Sequence, residues 1–133
     1  MAEGQTPEIS NGVHESARDA SQGIPEASVR AALERVLHSQ GFRASKRSQE
    51  FLRYVVERTL EGHAETLKER TIGIDVFGRS SAYDPSDDAT VRVKAGEVRK
   101  RLGLYYASEG RLDEIHIELP HGTYIPEFHR GSD

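Results

Sequence analysis

Apolar residues recur along this chain at helical spacing, and near its end they alternate. Val91, Ala95, Val98, Leu102 and Tyr105 fall on one face of a helix predicted over about residues 89–106, while Arg92, Lys94, Arg99, Lys100 and Arg101 fall off that stripe. Asp87, Asp88 or Thr90 can accept from the free N–H groups of its first turn. Upstream, Val29, Leu33, Val36 and Leu37 mark a first helix over residues 25–40, with Pro25 suited to its first turn and Gly41 to the position past its end. A second helix runs from about Ser45 to Glu61, closed by Gly62. Its stripe of Phe51, Leu52, Val55, Val56 and Leu60 is wide enough for a central core helix or for a partner interface. Residues 66–77 are ambiguous, because Ile72, Ile74 and Val76 alternate like a strand around Gly73, and a short helix is the favoured reading. Ile115–Leu119 alternates as a half-buried strand, and Pro120-His121-Gly122-Thr123 supplies turn chemistry. Tyr124–Phe128 is the return strand, with Pro126 confining it to an edge. The predicted class is mainly α with a small β-hairpin.

Composition adds bounds to this pattern. At 133 residues with 35% hydrophobic content the chain supports one small domain, expected over residues 25–128. Residues 1–24 are polar and without period, a composition expected to stay disordered, and 129–133 read as a C-terminal tail. Neither a disulfide frame nor a thiolate site is available without cysteine. No apolar run reaches the roughly 20 residues of a membrane helix, and the N-terminus lacks the order of a signal peptide, so a cytoplasmic protein is expected.

Charge is uneven. The whole chain carries −4, yet residues 89–106 hold Arg92, Lys94, Arg99, Lys100 and Arg101 against the lone acid Glu97. Lys and Arg neutralise phosphates and release counterions, and Arg also reads guanine through two hydrogen bonds. On a helical wheel Arg92, Gly96, Arg99, Lys100 and Gly103 face away from the buried stripe, and the two glycines would let the backbone approach a groove wall. Arg43, Lys46 and Arg47 in the preceding basic turn extend the candidate double-stranded DNA contact set. The bland alternative is that these charges solvate an exposed helix. The acidic stretch Asp84–Asp88 fails as an EF-hand, since Ala89 and Ala95 stand where a Gly and a Glu are required. No phosphate-cradling loop, nucleophile elbow or metal-ligand spacing is present, so no catalytic activity, metal or cofactor is expected.

Leu67–Gly78, Tyr83-Asp84-Pro85, Ala89–Val93, Glu97–Leu102 and Leu119–Tyr124 together resemble the DNA-binding half of OmpR/PhoB-type response regulators, over roughly residues 25–128. The chain is also similar to the winged-helix-like modules that head certain large bacterial multidomain proteins. The resemblance implies a winged helix-turn-helix, with Arg92, Arg99, Lys100 and Arg101 on the recognition helix and His121, Gly122, Thr123 and Tyr124 at the tip of a wing spanning 115–128. Two departures stand out: the hairpin has no Lys or Arg between 112 and 129, and a helix replaces the N-terminal sheet usual in that family. The expected function is a DNA-binding transcriptional regulator or its DNA-binding module. The alternative is a module of the same shape that binds a protein partner or a second copy through helix 45–61, using Phe51 and Tyr54.

Overall fold

A computed structural model describes residues 23–131, so the expected disordered tail lies almost wholly outside the described residues. The elements are α1 (Glu26–Leu37), α2 (Gln40–Arg43), α3 (Lys46–Leu60), a 3-10 turn (Ala64–Thr66), α4 (Glu69–Phe77), α5 (Thr90–Ala107), β1 (Ile115–Glu118) and β2 (Glu127–Arg130). The architecture is mainly helical with a small antiparallel two-stranded hairpin.

Each apolar stripe becomes a buried face. Val29, Leu33, Val36 and Leu37 of α1 meet Phe51, Leu52, Val55 and Val56 of α3. The latter four pack against Val91, Ala95, Val98 and Leu102 of α5, all within one core that Ile115, Ile117 and Phe128 of the hairpin complete. The second helix follows expectation closely: the Ser45 hydroxyl caps α3 by accepting from Ser48 N at 3.1 Å, and Gly62 adopts φ 86° just beyond its end.

The first helix is shorter than its pattern suggests. It ends at Leu37, and Ser39, whose hydroxyl donates to Val36 O at 2.6 Å, caps the separate turn α2. The physical reason is Phe42, which lies off the stripe of a continuous helix and reaches full burial only because the chain bends there. Gly41 therefore sits inside α2 rather than past the end of α1.

Residues 69–77 form a helix, with Gly78 at φ 67° as its left-handed cap. Gly73 is buried under the ring of Tyr83, so the missing side chain there serves close packing of the following loop. At the start of α5 only Asp88 supplies the expected side-chain acceptor, taking Thr90 N at 3.0 Å; Thr90 is itself the first helical residue. The Asp88 carboxylate also accepts from Arg79 Nε at 2.8 Å, which ties the loop to the helix end.

The return strand is displaced from its expected position. Pro126 has no N–H for a ladder, Ile125 N is taken by Thr123 Oγ1 at 3.0 Å, and the Tyr124 ring meets Phe51 edge-on at 6.5 Å. Pairing thus begins at Glu127, with Ile117 opposite Phe128 and His116 opposite His129. His129 and Arg130 belong to β2, inside the segment expected as a tail.

Candidate nucleic-acid interface

With Val91, Ala95, Val98, Leu102 and Tyr105 turned inward, α5 shows solvent a face of Arg92, Val93, Gly96, Lys100, Gly103, Leu104 and Ala107. Above Gly96 and Gly103 there is open space: a side chain built at either would meet nothing within 4 Å. Val93 and Leu104 are 67% and 61% exposed, which places apolar surface on the same face as Lys100.

The cations expected to reach outward are mostly held within the protein. Arg92 pairs with Glu69 of α4 at 2.7 Å and donates to Pro85 O at 3.1 Å, so it bridges α4, α5 and the loop between them. Arg99 corrects the wheel directly. Its guanidinium donates to Leu119 O at 3.0 Å, Pro120 O at 3.2 Å and Thr123 O at 3.0 Å, and so clamps the hairpin turn instead of facing outward. A wheel records the direction of Cα–Cβ, whereas a long flexible stem lets the charged head follow its acceptors.

Lys94 and Arg101 converge on Glu97. Lys94 Nζ donates to Oε1 at 2.8 Å, Arg101 Nε and Nη2 donate to Oε2 at 2.9 and 2.7 Å, and Ser48 Oγ of α3 adds a third donor group at 3.1 Å. The Lys94 hydrogen bond, followed by that of Arg101, holds the Glu97 carboxyl down at about 2, well below the usual carboxylate range, against the opposing effect of burial. Arg101 also reaches Gly41 O and thereby fastens the α2–α3 corner to α5. In the sequence Glu97 enters only as a charge to subtract. The signal for its role was its spacing, three residues after Lys94 and four before Arg101, which aligns all three on one helix face.

Of the basic turn, Arg43 donates to His38 O at 3.0 Å, and Arg47 donates to Val76 O at 2.8 Å while lying over the Phe77 ring at 5.4 Å. Lys46 and Lys100 are exposed, and among the described residues neither has a hydrogen-bond or ion-pair partner.

The hairpin turn divides in two. His121 and Gly122 are exposed at the tip, Gly122 with φ 85°, whereas Tyr124 is half-buried and anchors the turn on Phe51. Burial raises the Tyr124 hydroxyl above its ordinary range. Between α5 and the hairpin lies a cavity of about 420 Å³ lined by Leu102, Gly103, Tyr106, Ile117 and Leu119, with Arg99 and three histidines around them. Among the described residues no group of three or more His, Asp or Glu is placed to hold a metal ion.

The α3 surface differs from expectation as well. Phe51 is fully buried and so cannot meet a partner, and Tyr54 is half-buried with its hydroxyl donating to Asp75 of α4 at 2.6 Å. No helix among the described residues is long and apolar enough to cross a membrane. Comparison with protein-family models, with curated proteins and with solved structures returns no match for the chain.

Proposed function

We propose that this chain is a DNA-binding module of winged-helix type, with α4 and α5 as the helix-turn-helix, α5 entering the major groove and the 119–126 turn lying beside the backbone. The observation that carries the reading is the outer face of α5. Gly96 and Gly103 leave it low and unobstructed, and Lys100 stands between them with no partner among the described residues. A helix must come close to a groove floor to read base edges, and a face without bulk permits that approach. The order helix, helix, hairpin after α3 agrees with this docking.

The contact set is narrower than the sequence pattern suggests. Lys100 lies on the face itself, Lys46 and Arg43 at the α2–α3 corner supply backbone contacts, and Arg92 joins by exchanging Glu69 for a phosphate. Arg99 acts as a positioning residue for the turn. Val93 and Leu104 meet apolar groups such as thymine methyls. A transcriptional regulator, working without a cofactor in the cytoplasm, is the role that fits such a module.

A second reading has its own support. Val93 and Leu104 are the kind of exposed apolar residues that dock a partner helix, and most α5 cations are already engaged. That reading shifts the partner surface from α3 to α5. Fluorescence anisotropy with a mixed pool of labelled genomic duplexes, at about 50 and about 200 mM salt, separates the two. Phosphate contacts make DNA affinity fall steeply between those salts. Absence of any salt-dependent binding at micromolar protein would refute the DNA reading and leave the partner-helix reading.

A further inference from the structure

The donors gathered on Glu97 are those that hold a phosphate: an ammonium, a guanidinium offering two N–H groups and a hydroxyl, converging from α5 and the first turn of α3. Ala95 and Val98 beside Glu97 are buried in the core, whereas Glu97 lies at the rim and accepts from the hydroxyl of the buried Ser48. We infer that Glu97 fills, from within the protein, a seat for a phosphate group, and that it thereby holds down the affinity of α5 for a nucleic-acid backbone. The inference rests on the DNA-binding reading for its consequence, while the anion seat itself stands on the geometry of Lys94, Arg101 and Ser48.

The seat is reachable. The side chains of Lys94, Glu97 and Arg101 retain 19%, 33% and 25% exposure, so a phosphate oxygen can reach the two cations from solvent, with Ser48 buried behind them. Removing the charge of Glu97 frees two cations at once, and each cation that then meets a phosphate steepens the salt dependence.

The test compares the wild-type chain with Glu97→Gln and Glu97→Ala by anisotropy on one duplex between 50 and 200 mM salt, with circular dichroism to verify folding. For Glu97→Gln the expected result is an affinity gain on the order of tenfold at the lower salt, about the worth of one charge-assisted hydrogen bond. The slope of log K against log salt should grow by roughly 0.9 to 1.8, for one or two added phosphate contacts. Inorganic phosphate should raise the thermal midpoint of Glu97→Ala and leave the wild type unmoved. Equal or weaker duplex binding by a folded Glu97→Gln, with an unchanged slope, overturns the inference. If no protein binds any duplex, the DNA-binding reading fails, and the phosphate-dependent midpoint of Glu97→Ala alone decides whether the seat exists. Should both Glu97 variants fail to fold, Lys94→Gln in the otherwise wild-type chain gives the answer. A sequestered Lys94 leaves the salt slope unchanged where Lys100→Gln lowers it by about 0.9; a Lys94→Gln slope that falls equally shows that Lys94 already lies on DNA and that Glu97 restrains nothing.

Discussion

Replacing Arg99 with alanine separates a clamp from a DNA contact. The substitution removes three hydrogen bonds from a charged donor to Leu119 O, Pro120 O and Thr123 O. A hydrogen bond to a charged group contributes about 1.5–3 kcal/mol when shielded, but Arg99 is only half-buried and water can solvate the abandoned carbonyls. Taking under about 1 kcal/mol for each, the loss is about 2–3 kcal/mol, equivalent to a thermal midpoint lowered by roughly 8–12 °C in a domain of this size. Urea unfolding measures the loss, and amide exchange locates it, since amides in the 119–126 turn should exchange faster while those of α3 keep their protection relative to global stability. Arg99→Lys restores part of the stability, because one ammonium cannot span three carbonyls set around a planar fork. A loss below about 0.5 kcal/mol with unchanged exchange in the turn would show that the guanidinium does not hold the hairpin. Arg99 would then not be the residue that positions the turn.

Two further outcomes follow from the same contacts. Gly73→Ala should destabilise by about 1–3 kcal/mol by chemical denaturation, since the added methyl overlaps the Tyr83 ring; a neutral effect would mean the 80–88 loop does not pack where described. Glu97 has a carboxyl pKa lowered from 4.5 to about 2 in the folded state, so it binds its proton more readily when unfolded. Its stabilising contribution is therefore complete above about pH 4.5 and is lost as pH falls toward 2. Urea midpoints at pH 5 and 2.5 should drop further for the wild type than for Glu97→Gln, and parallel drops would refute the ion cluster as a source of stability.

The helices that were legible from sequence are those whose burial is one-sided. In α3 and α5 the apolar residues keep a single register over several turns, and packing against one core rewards that register directly, so periodicity and burial coincide. Where the structure departs from the pattern, one residue out of register is responsible. Phe42 lies beyond the α1 stripe and bends the chain into α2, and Pro126 with the anchored Tyr124 delays strand pairing until Glu127. Ile72, Ile74 and Val76 alternate as in a strand, and Gly73 weakens the helical alternative. In the helix Ile72 is buried while Ile74 and Val76 are half-buried, and Gly73 is explained by a ring from a residue ten positions later.

The site was less legible than the fold because charge is additive in a sequence but paired in space. Counting five cations against Glu97 treats each as free. Glu97 engages Lys94 and Arg101 together, Glu69 engages Arg92 from another helix, and the hairpin carbonyls engage Arg99. Of the 18 Lys and Arg only Arg18, and of the 22 Asp and Glu only Glu3, Glu8, Glu15, Asp19 and Asp133, lie outside the described residues, which are therefore electrically balanced. A balanced domain gains little from long-range steering, since attraction beyond a Debye length of about 8 Å is screened in physiological salt. On the proposed DNA-binding role, nucleic acid is held by close contact at Lys100, Lys46 and Arg43 and by the shape of a helix face lowered at Gly96 and Gly103. Affinity then depends on how many internally paired cations exchange their partners for phosphates, and each exchange forfeits an ion pair that contributes to the fold. Binding strength and domain stability thus draw on the same residues, which is why a substitution at Glu97 should move the two in opposite directions.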